Sequence, residues 1–89
     1  MDNLDYIAID FEIANYNKNS ACQVGLVRFE NGIEVDSVVS LIKTYDSYFV
    51  PEFIDDVHGI TYQDVKNKPS FSEVWNNIVL PFINKKKFL

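Results

Sequence analysis

One dipeptide, Asn31-Gly32, most constrains how this chain can fold, because it separates two stretches that both have the composition of β-strands. These stretches cover residues 22–30 and 33–42. Asparagine and glycine both tolerate the positive φ angles that a two-residue type I′ turn requires. The sequence therefore predicts a β-hairpin over residues 22–42.

Another strand is predicted over residues 6–12. Its first half is apolar without alternation, through Tyr6, Ile7, Ala8 and Ile9. A strand that is apolar on both faces is typical of the interior of a sheet covered on two sides. We therefore expect this strand inside the sheet.

The second half of the chain carries helix signals. Pro51 suits the first turn of a short helix that ends near Val57, and Gly59 suits the exit from that helix. Thr61 with Asp64 can open another short helical turn. The sequence therefore predicts two short helical segments between residues 51 and 65.

A longer helix is predicted after Ser70, which forms an S-x-x-E capping box with Glu73. Apolar residues then recur at helical spacing, and we expect them to form one stripe that faces a core. Pro81 falls in the last turn, where it should kink or shorten the helix. The stripe consists of Phe71, Val74, Trp75, Ile78, Val79, Phe82 and Ile83.

The composition is that of one small globular domain, with 89 residues, 47% of them hydrophobic, and a net charge of −5. No run approaches the roughly 20 apolar residues that span a bilayer, and the start of the chain is acidic, unlike a secretory signal. We expect a soluble cytoplasmic protein without a membrane partner. Cys22 is the only cysteine, so no internal disulfide is possible, and a small buried apolar residue is the expected role.

Asp10 and Glu12 close the first predicted strand, and they are the candidate metal ligands. Side chains alternate along a strand, so both carboxylates share one face, roughly 7 Å apart along it, and Phe11 points to the other face. Carboxylate oxygens suit Mg²⁺ or Mn²⁺. Two such ions about 3.5–4 Å apart can activate water and stabilise the leaving oxygen of a phosphodiester. The spacing by itself is common, because two solvated acids at a strand end would also produce it.

The segment Ile9-Asp10-Phe11-Glu12 resembles the first motif of the DnaQ-like DEDD 3′–5′ exonucleases, and of the epsilon subunit of DNA polymerase III in particular. The similarity continues through residues 23–27 (QVGLV) and the Asn-Gly turn. It extends to Val57-His58-Gly59-Ile60-Thr61 and ends in residues 68–74 (KPSFSEV). It therefore covers nearly the whole chain in the order of the family's motifs.

The resemblance implies an RNase H-like α/β fold, in which a three-stranded sheet with a β-hairpin is followed by helices. It also implies a pair of divalent ions, Mg²⁺ or Mn²⁺, and removal of nucleotides from the 3′ end of a nucleic acid. Asp10 would bridge both ions and Glu12 would bind one. The expected partners are single-stranded or 3′-end nucleic acid and a DNA polymerase.

A substrate-binding surface is implied as well. Phe11 and the backbone around Ile13 and Ala14 would lie near the terminal nucleotide. Val57 and His58 match a segment that packs beside the terminal bases. A loop histidine that is hydrogen-bonded near a turn explains His58 equally well.

The chain also departs from the family pattern. Ile13 stands where the family commonly has threonine, which removes a hydroxyl near the substrate. The second motif, H-N-x-x-F-D, should begin two or three residues beyond Leu89, and the third, with the general-base histidine, should come later. His58 belongs to the H-G-I-T segment and is not that base. We therefore expect residues 1–89 to be the N-terminal part of a single exonuclease domain that is inactive alone.

The end of the chain generates further expectations. Residues 85–87 are three lysines that should form a solvated loop, and Phe88 should begin another strand. The family resemblance implies that this strand pairs beside the first strand. An edge left open at the first strand should lead to self-association, because it offers unpaired backbone groups. Two alternatives stay open: a non-catalytic nuclease-like module that binds protein or nucleic acid, and an RNase of the same fold.

Overall fold

The structure is a computed structural model in which residues 4–84 are described. Three strands, β1 (Tyr6–Ile13), β2 (Ala21–Glu30) and β3 (Ile33–Leu41), form an antiparallel sheet in the order β1-β2-β3. All helices of the described stretch follow the sheet in sequence. This arrangement confirms the predicted three-stranded sheet with a β-hairpin followed by helices.

The β2–β3 turn has the predicted geometry. Asn31 has φ 55° and Gly32 has φ 76°, so both central residues occupy the left-handed region that a type I′ turn requires. The Gly32 amide donates to the carbonyl oxygen of Leu4 at 3.0 Å, and the Asn31 amide donates to the Asp5 carboxylate at 2.8 Å. The turn is therefore tied to the residues that precede β1.

The position of β1 corrects the sequence-based expectation. This strand pairs only with β2 among the described residues, so it lies at the edge of the sheet and not in its interior. Tyr6 is 50% exposed and Ile9 is 44% exposed. Apolar composition on both faces permits burial but does not supply the neighbours that would cover the strand, so the expected interior position is not found among residues 4–84.

The first two helical segments follow the predicted signals. Helix α1 covers residues 51–58, with an α-helical turn at Pro51–Phe53 that continues as a π-helical turn at Ile54–His58. It ends at His58, one residue after the predicted position, and Gly59, whose φ of 70° is left-handed, is its C-terminal cap. Helix α2 (Tyr62–Val65) is opened by the Thr61–Asp64 capping box.

Helix α3 covers residues 71–84 as three consecutive turns: Phe71–Val74, the π-helical Trp75–Val79, and Leu80–Asn84. The predicted capping box is present, because the Glu73 carboxylate accepts from the Ser70 amide at 2.9 Å and the Ser70 hydroxyl accepts from the Glu73 amide at 3.3 Å. Pro81 does not end the helix. Proline has no amide hydrogen to donate to the preceding turn. The turn that precedes Pro81 is a wider π-helical turn, which accommodates the missing hydrogen bond.

Two clusters of buried side chains hold these elements together. The first cluster joins the sheet to α3. The predicted apolar stripe of α3 is exposed at its two ends, since Phe71 is 45% exposed and Ile83 is 41% exposed. The second lies under α1 and α2 and includes Cys22 as the expected buried apolar residue. The first cluster consists of Val24, Leu26, Ile42, Val74, Val79 and Phe82.

The lysine run at residues 85–87 and the strand expected from Phe88 lie outside the described residues. Within residues 4–84, no helix is long and apolar enough to cross a membrane.

Replacing Ser70 with alanine should lower the free energy of unfolding by about 1 kcal/mol, because α3 then loses its N-terminal cap. The measurement is urea denaturation followed by circular dichroism. Ser37→Ala is the control, because Ser37 is an exposed strand residue far from any helix end. Equal stability of the Ser70→Ala protein and the wild type would contradict the role of the cap.

The same cap should make α3 sensitive to acid. The hydrogen bond from the Ser70 amide, together with that from the Ser70 hydroxyl, lowers the pKa of Glu73. A carboxyl group with a lowered pKa stabilises the fold above its unfolded-state pKa, and that contribution is lost as the pH falls through its folded-state pKa. We expect the stability difference between wild type and Glu73→Gln, which is present at pH 7, to shrink below about pH 4.

Candidate functional site

Asp10 and Glu12 lie on the face of the sheet that points away from α3. In the β1–β2 ladder Asp10 is opposite Gly25, and Glu12 is opposite Gln23. A side chain at Gly25 would meet only the Val39 side chain, at 3.9 Å, so the surface beside Asp10 is open. On this face Asp10 is exposed and Glu12 is half-buried.

The loop that follows β1 is held by a buried amide. Asn15 is 3% exposed, and its side chain donates to the Asp46 carboxylate at 3.1 Å and to the Tyr48 carbonyl at 2.9 Å. Its side-chain oxygen accepts from the Asn17 amide at 2.8 Å. These bonds fix the loop against the segment after β3. Asn15 is a positioning residue that the sequence reasoning missed, because a loop asparagine has no periodicity to mark it.

His58 connects the end of α1 to the end of β1. Its Nδ1 accepts from the Ile60 amide at 2.9 Å, so in the neutral ring the hydrogen is on Nε2. Nε2 lies 3.0 Å from the carbonyl oxygen of Ile13 and donates to it. Both ring nitrogens are therefore occupied by backbone groups.

A cleft of about 210 Å³ lies between these two elements. It brings together four of the predicted substrate-binding residues and one of the predicted metal ligands. Phe53 also lines it and was not predicted, although its position one helical turn before Val57 is a signal that could have indicated it. The lining residues are Phe11, Glu12, Ile13, Phe53, Val57 and His58.

Two of the predicted site residues do not line this cleft. Asp10 lies on the open face of the sheet, one residue before Phe11, the first residue of the cleft. Ala14 has a fully buried side chain, and its backbone amide and carbonyl bond to Ser20 and Val50, both at 2.8 Å. The backbone of Ala14 thus anchors the base of the loop in the second buried cluster.

The family resemblance implies a pair of metal ions at Asp10 and Glu12. Across residues 4–84, no three His, Cys, Asp or Glu side chains converge on one point. Mg²⁺ usually keeps several waters and is bound by one or two protein carboxylates plus substrate phosphates. Two protein carboxylates are the usual number for one such ion, and a pair of ions would require further ligands.

Cys22 lies beside the bulge between Glu12 and Ile13 but takes no part in metal binding. Burial raises the pKa of its thiol to about 11, and the negative charge of Glu12 acts in the same direction. A thiol ligand or nucleophile must be deprotonated. Cys22 is therefore an uncharged core residue at neutral pH.

The sequence model of the RNase T family, described as exonuclease, matches residues 7–89 of this chain. The match includes both carboxylates and every residue of the cleft. A comparison with individual curated proteins gives no match.

Replacing His58 with leucine should loosen the cleft, because it removes two hydrogen bonds to backbone groups while keeping an apolar side chain. We expect a loss of about 1–2 kcal/mol in stability and faster hydrogen exchange at the Ile60 amide, measured by NMR. Val57→Ala is the control, since Val57 is 66% exposed and makes neither bond. Unchanged exchange at Ile60 in the leucine variant would argue against the bridging role.

Proposed function

This chain belongs to the RNase T family of exonucleases, and from that membership we propose that it is part of a metal-dependent 3′–5′ exonuclease of the DnaQ-like DEDD group. The reaction is the hydrolysis of phosphodiester bonds at the 3′ end of a nucleic acid. One observation carries the proposal: Glu12 lines a small apolar cleft, and Asp10 lies two residues before it on the same strand. A metal ion held by the two carboxylates would bind the phosphate of a terminal nucleotide, and the apolar cleft would accept its base.

Each part of the site has a defined role in this proposal. The walls formed by Ile13, Phe53 and Val57 exclude water and contact the terminal base and sugar. Asp10 and Glu12 hold Mg²⁺ or Mn²⁺, which, when bound, supplies the positive charge that a phosphate needs and activates water. This metal charge offsets the net charge of −5, which would otherwise repel nucleic acid.

His58 is proposed to position the site and not to act as its general base. Its two nitrogens already bond to the Ile13 carbonyl and the Ile60 amide. A general base needs a free lone pair within reach of the water that it deprotonates. The family resemblance implies a histidine as the general base, and His58 is the only histidine of the chain. We therefore propose that the base comes from outside residues 1–89.

We propose that residues 1–89 form the N-terminal part of one exonuclease domain that acts in the cytoplasm, with a DNA polymerase as partner in the manner of the polymerase III epsilon subunit. The support is the count of ligands: two carboxylates fit one ion, whereas two-metal hydrolysis needs more. The same count favours a second candidate function, a non-catalytic module that uses the fold only for binding.

Manganese binding separates the two candidates. We expect weak Mn²⁺ binding, measured by electron paramagnetic resonance, that disappears in Asp10→Asn because one of two carboxylate ligands is lost. Glu34→Gln is the matched control, since it removes an exposed acid on β3. Undetectable binding to the wild type would count against the nuclease site and favour the binding module.

Hydrolysis by the isolated chain is expected to be negligible, because no base and too few ligands are present. The measurement is loss of terminal nucleotides from a 3′-labelled single strand in the presence of Mg²⁺ or Mn²⁺. Robust release that is abolished by Asp10→Ala would overturn the proposal that residues 1–89 need further ligands, while supporting the exonuclease assignment.

Self-association through the open edge of β1 is also proposed. The strand is eight residues long and pairs on one side only among the described residues, and Ile9 is exposed there. Such an edge can pair with a second copy. We expect a concentration-dependent dimer in analytical ultracentrifugation that Ile9→Lys weakens and Leu80→Lys, on α3, leaves unchanged. A monomer at all concentrations would rule this out.

A further inference from the structure

The turn between β2 and β3 contains a chemically labile pair of residues. Asn31 is the only asparagine of the chain that is followed by glycine, and both residues of the pair are exposed. Asparagine is a thermolabile residue, because the backbone nitrogen of the next residue can attack its side-chain amide. Glycine has no side chain that would hinder this attack. The turn therefore carries the asparagine of this chain that is most prone to deamidation.

Deamidation at this pair consists of a substitution followed by a hydrolysis. The Gly32 nitrogen gives up its hydrogen and bonds to Cγ of Asn31, and the side-chain nitrogen of Asn31 leaves with that hydrogen as ammonia. The product is a five-membered succinimide ring. Water then opens the ring at one of its two carbonyl carbons, which leaves aspartate or isoaspartate at position 31. The reaction needs no co-reactant other than water.

The attacking nitrogen is engaged in the folded chain. The Gly32 amide donates to the carbonyl oxygen of Leu4 at 3.0 Å, and this bond must break before the nitrogen can lose its hydrogen. The Asn31 amide donates to the Asp5 carboxylate at 2.8 Å. The Leu4 side chain also lies against Gly32, with its Cδ1 3.7 Å from the position that a β-carbon would occupy. We name these three contacts, made by residues 4 and 5, the Leu4–Asp5 clamp.

The clamp lies outside the hydrophobic core. Leu4 is 52% exposed and Asp5 is exposed. Both precede β1, whose ladder with β2 begins at the Tyr6–Phe29 pair, and neither belongs to the two buried clusters. The ends of secondary-structure elements open at a lower free energy than the core does. The clamp can therefore open while the rest of the sheet stays folded.

We propose that Asn31 is a modification site, which deamidates through Gly32 at a rate set by the opening of the Leu4–Asp5 clamp. The folded chain slows the reaction, because the attacking nitrogen is a hydrogen-bond donor whenever the clamp is closed. The site is independent of the metal ligands and of the cleft, which involve the other end of β1.

Modification of Asn31 has a defined consequence for the sheet. Isoaspartate adds one atom to the main chain, and the register of a hairpin is fixed by the length of its turn. Both products add a carboxylate to a turn that already has Asp5, Glu30 and Glu34 near it. Like charges held close together repel each other. The modified turn is therefore expected to hold the start of β1 less firmly than the native turn does.

The test follows modification of the full chain by mass spectrometry of its proteolytic peptides, after chromatography that separates the aspartate and isoaspartate forms. The wild type is incubated at one pH in native buffer and in urea that unfolds the chain. We expect slower loss of Asn31 in native buffer, because urea removes the clamp. Asp5→Ala should deamidate about threefold faster than the wild type in native buffer, as expected for loss of one hydrogen bond, and at the wild-type rate in urea.

Asp56→Ala is the matched control, since it removes an exposed acid from α1, far from the turn in sequence. It should deamidate at the wild-type rate in both solutions. Circular dichroism verifies that each variant is folded in native buffer. Hydrogen exchange at the Gly32 amide, measured by NMR, should accelerate in Asp5→Ala by the same factor as deamidation, because both reactions require the same opening of the clamp.

Three results would overturn the proposal. Equal rates for the wild type in native buffer and in urea would show that the fold does not protect Asn31. Equal rates for Asp5→Ala and the wild type in native buffer would show that the clamp does not set the rate. Loss of another asparagine, such as Asn67, before Asn31 in urea would show that the Asn-Gly pair is not the labile one.

Discussion

Burial of one row of side chains on β2 is the constraint on which the rest of the structure depends. Cys22, Val24 and Leu26 are 0–1% exposed, and burying an apolar side chain of this size contributes about 1.5–3 kcal/mol. Strand β2 pairs with a neighbour on both sides, so this row also sets which face of β1 and β3 points toward the helices. The opposite face stays open, and that is where Asp10 and Glu12 lie.

The candidate site depends on polar contacts that hold loops against this sheet. His58 joins the end of α1 to the Ile13 carbonyl, and Asn15 joins the loop after β1 to the segment after β3. A buried amide or imidazole is stabilising only when its hydrogen bonds are made. Both residues therefore favour one arrangement of the loops. The apolar cleft is a product of that arrangement.

The sequence predicted the features that depend on local chemistry. The Asn31-Gly32 turn and the Ser70 cap follow from φ preferences and from side-chain hydrogen bonds within three residues. The family resemblance indicated the exonuclease assignment and five of the six residues that line the cleft. Among the described residues β1 does not have its expected interior position. Phe53 and the roles of Asn15 and Ala14 were missed. Each of these features depends on neighbours that are distant in sequence.

There is a physical reason why some features were predicted from the sequence and others were seen only in the tertiary structure. By itself, the sequence determined the strands, the turn, the helix caps and the shared face of the two carboxylates, since all of these follow from backbone geometry over a few residues. Only the tertiary structure decided that β1 lies at an edge among the described residues and that Phe11 stacks on Phe71. Such contacts join residues that are tens of positions apart, and no local preference encodes which of them will meet.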